Sequence, residues 1–341
     1  MPGNVNTEII ALESAPSFKR ALSRAEAILR EGGLVAIPTE TVYGLAADAL
    51  NAEAVGRIFA TKGRPSQNPV IVHVASLALA QSCVKVWPEE ASRLSGAFWP
   101  GPLTIVLPKS AIIPDIVTAG GATVGIRWPS HPFVQGLIQR CRFPLAAPSA
   151  NPSGALSPTN ASHVAKALGG RVPLIIDGGQ AQVGIESTVV DLSSGALTVL
   201  RPGIIGIPAL EAALGRALRH ETRTAPGQEL RSPGLLEKHY APKTKLVIWR
   251  WSGESELERL IKAAGFRPGR CHVIAYRAIP LRPHFSGVSV IPEDPEAYAR
   301  ALYSELHLCD ERGVDLIIVE ALPDTADWAA LTDRLRRASI E

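Results

Sequence analysis

Patterns that would declare a chemistry outright are missing from this chain. There is no GxxxxGKS/T or GxGxxG loop, so any phosphate must be held by side-chain cations and ordinary backbone N–H groups. HExxH and GxSxG are absent, which removes the zinc-protease and serine-hydrolase readings. The eight histidines show no zinc-finger spacing, so a structural metal is not expected. Cysteine is scarce: Cys83, Cys141, Cys271 and Cys309 are far apart and form no CxxC pair, which points to reduced, buried thiols. Charge of either sign is not in excess. A net +3 permits contact with nucleic acid but argues against a dedicated basic binder. No apolar run is long enough to span a membrane and no basic-plus-apolar leader stands at the start, so a cytoplasmic location is the expectation.

What is present suits a packed protein. The hydrophobic share is 46% against 20% charged, and 341 residues suggest about two domains. Residues 1–10 read as a short tail. "SFKRALSRAEAILREGG" has helical spacing and a Gly-Gly stop, and Asn51 is placed to cap a second helix that Gly63 ends. Strand candidates follow: Leu34–Ile37, "PVIVHVAS", "LTIVLP", "ATVGIRW", "PLAAPSA", "LIIDGG", "ESTVVDLS" and "LTVLRPG", with helices between them. The fold class is therefore α/β with a mixed sheet. Composition shifts near residue 207, where a helix "ALEAALGRALRH" runs into the polar "ETRTAPGQELRSPG". A strand–helix alternation then restarts with "KLVIW" and ends on a helix, as a small doubly wound domain would. The expected division is a first α/β domain at 10–207, a linker at 208–244 and a Rossmann-like domain at 245–341.

Polar groups gather at strand ends. The run Leu34–Ile37 empties into Thr39, Glu40, Thr41 and Tyr43, a costly place for polar side chains unless they find partners. Lys62 and Arg64 flank Gly63; they either complement a helix dipole or clamp phosphate, with Asn68 close behind. Strand alternation puts Thr123, Gly125 and Arg127 on one face. Arg127 needs an anion there, either Glu40, Asp191 or a substrate carboxylate. His73 lies in a continuous apolar run, where a satisfied core histidine is the simpler outcome. Ser149, Asn151 and Ser157 stand in a Pro- and Ser-rich stretch that suits a capped loop or a close approach to a nucleotide. Ser187 and Arg201 extend the theme.

Taken in order, PTETVYGL, KGRP, FWPGPLT, VGIRWP, PSAN with SPT, ESTVVD and RPG resemble the YrdC domain of the threonylcarbamoyl-AMP synthase family across residues 34–206. The restart after "SPGLLEKHYAPKT" resembles the long, two-domain form. The resemblance implies a nucleotidyltransferase that joins L-threonine, bicarbonate and ATP into threonylcarbamoyl-AMP with release of pyrophosphate. That intermediate serves threonylcarbamoyl-adenosine modification of tRNA beside the anticodon, through a downstream transferase machinery. Carried over by position, Lys62, Arg64, Ser149 and Asn151 form the catalytic signature. Thr41, His73, Arg127, Ala147 (through its backbone) and Ser187 would hold threonine. Arg64, Asn68, Thr123, Ser149, Ser157, Arg201 and Tyr240 would hold ATP, with Mg2+ as its companion and no metal ligand assignable among the side chains. The "HYAP" segment would close over the site. The resemblance leaves room for weak direct tRNA binding. A purely RNA-binding module is the alternative class, opposed by the weak net charge and the lack of an aromatic–basic ribbon. Carbamoyl transfer in metallocentre assembly is a third, opposed by the missing zinc-finger cysteines.

Overall fold

A computed structural model describes residues 5–194, 196–220, 240–281 and 284–339. They fall into two compact units, one within Met1–Ser153 and Ser157–Leu236, the other within Gly154–Leu156 and Glu237–Glu341. Most of the sequence read as a linker, residues 221–239 including the histidine of "HYAP", lies outside the described residues.

The first unit runs β1 (Glu8–Ala11), α1 (Ala15–Arg30), β2 (Val35–Ile37), β3 (Gly44–Asp48), α2 (Ala52–Lys62), β4 (Val72–His73), α3 (Leu77–Ser82), α4 (Glu89–Phe98), β5 (Leu103–Pro108) and β6 (Thr123–Arg127). It continues through α5 (Pro132–Cys141), β7 (Leu145–Ala146), α6 (Ala161–Leu168), β8 (Leu174–Asp177), β9 (Thr188–Asp191), β10 (Thr198–Arg201), α7 (Ile207–Leu214) and β11 (Arg219–His220). Local chemistry sets the helix limits. Ser14 and Ser17 form a reciprocal cap on α1, and Asn51 accepts from the N–H groups of Glu53 and Ala54 to start α2. Gly63, at φ 60°, ends α2 in the left-handed conformation that glycine adopts without strain.

The strands form one mixed sheet in the order β1-β8-β2-β3-β7-β4-β6-β5-β9-β10-β11. Residues 8–11, expected to lie in a tail, instead pair in parallel with β8 and bury Ile10; two adjacent isoleucines supply the strand propensity. "ALEAALGRALRH" is not one helix. α7 stops at Gly215, at φ 71°, and Arg219–His220 returns as an edge strand beside β10.

Coverage of the sheet is unequal, and that places the site. One face is packed along its length by α2, α4, α6 and α7 against Ala36, Leu45, Val72, Ile105, Val124, Ile126, Val190 and Val199. On the other face α1 and α5 cover only the end built from β1, β8, β2, β3 and β7, over Val35, Ile37, Ala46, Leu145, Leu174 and Ile176. On that face β4, β6, β5, β9 and β10 carry a small apolar patch of Val106, Val189 and Leu200, and polar side chains.

The second unit holds β12 (Lys245–Trp249), α8 (Glu254–Ala263), β13 (Cys271–Ala275), β14 (Gly287–Val290), α9 (Pro295–Arg312), β15 (Leu316–Glu320) and α10 (Ala329–Ala338). Its strands are all parallel in the order β12-β15-β13-β14, as the strand–helix alternation predicts, around a core that includes Leu257, Ile261, Val273 and Ile318. Among the described residues no helix is long and apolar enough to cross a membrane. All four cysteines are buried free thiols. Burial raises Cys83 and Cys271 to about 11, and Cys141 and Cys309 to about 12.

Candidate active site

The strand register assembles the site on the half of the sheet that α1 and α5 do not reach. His73 on β4 lies beside Arg127 on β6, and Arg127 lies opposite Thr104 on β5. Residues opposite one another point to the same face, so the three make a polar row across the middle of an apolar sheet. Their sequence neighbours Val72, Ile126 and Ile105 point to the packed face and complete the alternation. Gly125 lets its neighbours pack closely: a Cβ there would stand 3.2 Å from Thr104 Cγ2.

The row branches into two networks. Arg127 donates from Nη1 to Thr41 Oγ1 at 2.8 Å, and Nη2 lies 2.7 Å from Glu40 Oε1. Thr41 Oγ1 is 2.9 Å from Thr39 Oγ1, which donates to the carbonyl of Val42. The PTETVYGL hydroxyls are therefore satisfied within the protein, and Glu40 is the internal anion for Arg127. Asp191 is engaged elsewhere, accepting from Ser193 N and Oγ. On the other side Thr104 Oγ1 lies 2.8 Å from Ser187 Oγ, and Arg201 donates to both the carbonyl and the hydroxyl of Ser187 at 3.0 Å.

His73 is 3% exposed and its Nδ1 makes no hydrogen bond. Burial first, and the Arg127 charge second, push its pKa down to about 3, against the weaker pull of the Ile71 and Leu145 carbonyls. It is a neutral imidazole at physiological pH.

Lys62 and Arg64 are both buried, at 3% and 7% exposure. Lys62 Nζ donates to the carbonyls of Ser149 and Asn151, tying α2 to the PSAN loop. Burial, with the Arg64 charge behind it, holds the Lys62 pKa well below the ordinary lysine range. Arg64 donates to the carbonyls of Asn68 and Pro69. The Asn68 side chain is 1% exposed, and neither of its polar atoms has a hydrogen-bond partner. An unpaired buried amide is destabilising by about 1–3 kcal/mol and marks a place where a ligand would be useful.

Backbone lacing brings the motifs together. Leu45 N donates to Pro148 O, Ala150 N to Tyr43 O and Tyr43 N to Pro158 O, which joins PTETVYGL to the PSAN–SPT stretch. Val183 N and Gly184 N donate to the carbonyls of Glu40 and Thr41. Ala147 N donates to Ile71 O, which fixes that backbone next to the His73 strand. Ser157 donates to Glu186, and Thr123 begins β6 opposite Pro108. Tyr240 belongs to the second unit. Its ring is 1% exposed, with the Arg334 guanidinium 5.2 Å from its centroid and the Tyr303 ring 6.1 Å away, and its backbone sits at φ 63°, unusual for an aromatic residue.

Sequence reasoning missed Thr104 and Glu186 as members of these networks. A threonine in a strand is ordinary, so only the register exposes Thr104. Glu186 could have been suspected from its position beside Ser187.

The comparisons agree on one family. The family model described as "Telomere recombination" matches residues 27–203, and the one described as "Threonylcarbamoyl-AMP synthase, C-terminal domain" matches residues 205–339. The threonylcarbamoyl-AMP synthase of Pyrococcus abyssi is 40% identical over 322 residues, covering 92% of this chain and 93% of its own. That of Bacillus subtilis is also 40% identical over 322 residues, covering 93% and 92%. The crystal structure of P. abyssi Sua5 complexed with L-threonine superposes with a TM-score of 0.86 at 38% identity, covering 98% of this chain and 97% of that one.

Proposed function

The chain belongs to the threonylcarbamoyl-AMP synthase family, and from that premise we propose that the polar half of its large sheet is where L-threonine, bicarbonate and ATP become threonylcarbamoyl-AMP and pyrophosphate. The enzyme is a nucleotidyltransferase. The observation that supports this site is the buried row His73–Arg127–Thr104 with its extensions to Thr41 and Ser187. It offers a fixed cation and several hydroxyls on an otherwise apolar face, a lining suited to a small hydroxy amino acid.

In this reading Arg127 and Thr41 take the threonine carboxylate, while Ser187, neutral His73 and the Ala147 backbone take the rest. Arg64, Asn68, Thr123, Ser149, Ser157 and Arg201 hold ATP, and Lys62 with Asn151 complete the signature around the reacting phosphate and carbamate. The threonine amine attacks bicarbonate to give a carbamate; a carbamate oxygen then attacks the α-phosphorus and expels pyrophosphate. Such transfer needs alignment and charge neutralisation more than a covalent nucleophile. The four buried, raised thiols fit that requirement. Among the described residues the one group of His, Cys, Asp or Glu close enough to share a metal is Glu254, Glu258 and His284 in the second unit. Mg2+ would arrive on the ATP phosphates and there neutralise charge. The product passes to a tRNA-modifying transferase.

Pyrophosphate release is the test. It is expected to need both threonine and bicarbonate, and to fall by about a hundredfold or more in Arg127→Ala, since that change leaves Glu40 buried without its partner. No threonine-dependent release from folded wild-type protein would overturn the reading.

A further inference from the structure

One buried pair in the site carries more charge than its hydrogen bonds satisfy. The Glu40 and Arg127 side chains are each 5% exposed and lie 2.7 Å apart. Yet neither Glu40 oxygen makes a directed hydrogen bond, and neither do Arg127 Nε and Nη2; of the guanidinium nitrogens, Nη1 donates to Thr41. Two ions taken out of water are strongly unfavourable unless paired and fully hydrogen-bonded. Glu40 cannot relieve this by swinging out with its backbone, because Val183 N holds its carbonyl at 2.7 Å.

Counting charge decides what such a pair can accept. Arg127 and Glu40 together are neutral. A ligand carboxylate alone would take Arg127 and leave Glu40 a buried, uncompensated anion. A ligand that brings an ammonium beside its carboxylate keeps the pocket neutral and gives each ion a new partner. We propose that Glu40 is the partner of the substrate's α-ammonium, exchanging Arg127 for it as the substrate carboxylate takes the guanidinium. This deepens the threonine reading and rests on it. Glu40 then selects amino acids over hydroxy acids of the same shape.

The same contact prepares the nucleophile. Glu40 takes one proton from the ammonium, leaving the N–H electron pair on nitrogen. That lone pair forms the C–N bond to the bicarbonate carbon. The C–OH bond breaks, and hydroxide leaves as water with a second amine proton, giving the carbamate.

Calorimetric titration separates this role from a structural one. L-threonine and (R)-3-hydroxybutyrate, which lacks only the amino group, are titrated into wild type, Glu40→Gln and Glu40→Asp, with ATP titrated alongside as a check on folding. Wild type is expected to prefer threonine by about a hundredfold or more. Glu40→Gln should shrink that preference at least about tenfold while ATP affinity holds, and Glu40→Asp should keep most of it. Equal weakening of both ligands in Glu40→Gln would show that Glu40 merely shapes Arg127, and would overturn the proposal. Wild type that binds both ligands alike overturns it with no variant needed, which covers a variant that fails to fold. Wild type that binds ATP but neither ligand overturns the threonine reading, and the proposal with it.

Discussion

His73 shows what burial does to a titratable residue here. Its folded pKa of about 3 lies below the ordinary 6.5, so the unfolded chain takes up the proton first as pH falls. Its contribution is therefore intact above about 6.5 and is lost progressively toward about 3, on the order of a few kcal/mol in all. The melting temperature of His73→Gln should fall less steeply than that of wild type between neutral pH and about 4. Thr104→Val tests a neighbouring contact without changing shape. Ser187 keeps Arg201 but loses one hydroxyl partner, so the KM for threonine should rise roughly five- to tenfold with little change in stability. Arg127 and its need for an anion were legible in the sequence, because an unremovable charge in an apolar strand is conspicuous. Which anion was not legible. Glu40 and Asp191 were equivalent on paper, and only the register and the Ser193 contacts separate them.

Gly63 and Gly125 stand for two kinds of constraint at the scale of the element. Gly63 has open space around it but a φ of +60°, so Gly63→Ala should lower the urea midpoint by an amount equivalent to about 1 kcal/mol through the backbone alone. Gly125 has no such backbone demand, but its missing side chain leaves room beside Thr104 and Ile71. Gly125→Val should therefore abolish threonine-dependent pyrophosphate release while circular dichroism stays near wild type. Helices with strong caps, such as α1 and α2, could be read from the sequence because their limits are set by local chemistry. β3 could not. "GLAAD" has weak strand propensity and becomes a strand because β2 and β7 pair with it from both sides. α5 was hidden for a similar reason, its start marked only by His131 and Pro132.

Each of the two units encloses two of the four thiols: Cys83 and Cys141 in the first, Cys271 and Cys309 in the second. The second unit was legible as a restart of strand–helix alternation, whereas the half of the large sheet that α1 and α5 do not reach was not, since it is a property of which helices return to which face. The buried thiols turn this arrangement into a pair of clocks. A thiol held near 11 or 12 and shut away from solvent reacts with an alkylating reagent only when its surroundings open. Mass spectrometry of alkylated peptides, followed over time in mild denaturant, would then time the opening of each unit separately within one intact chain. If the units open independently, the two cysteines of a pair should label in step and the two pairs at different rates; a single shared rate would mean that the chain lives or fails as one body.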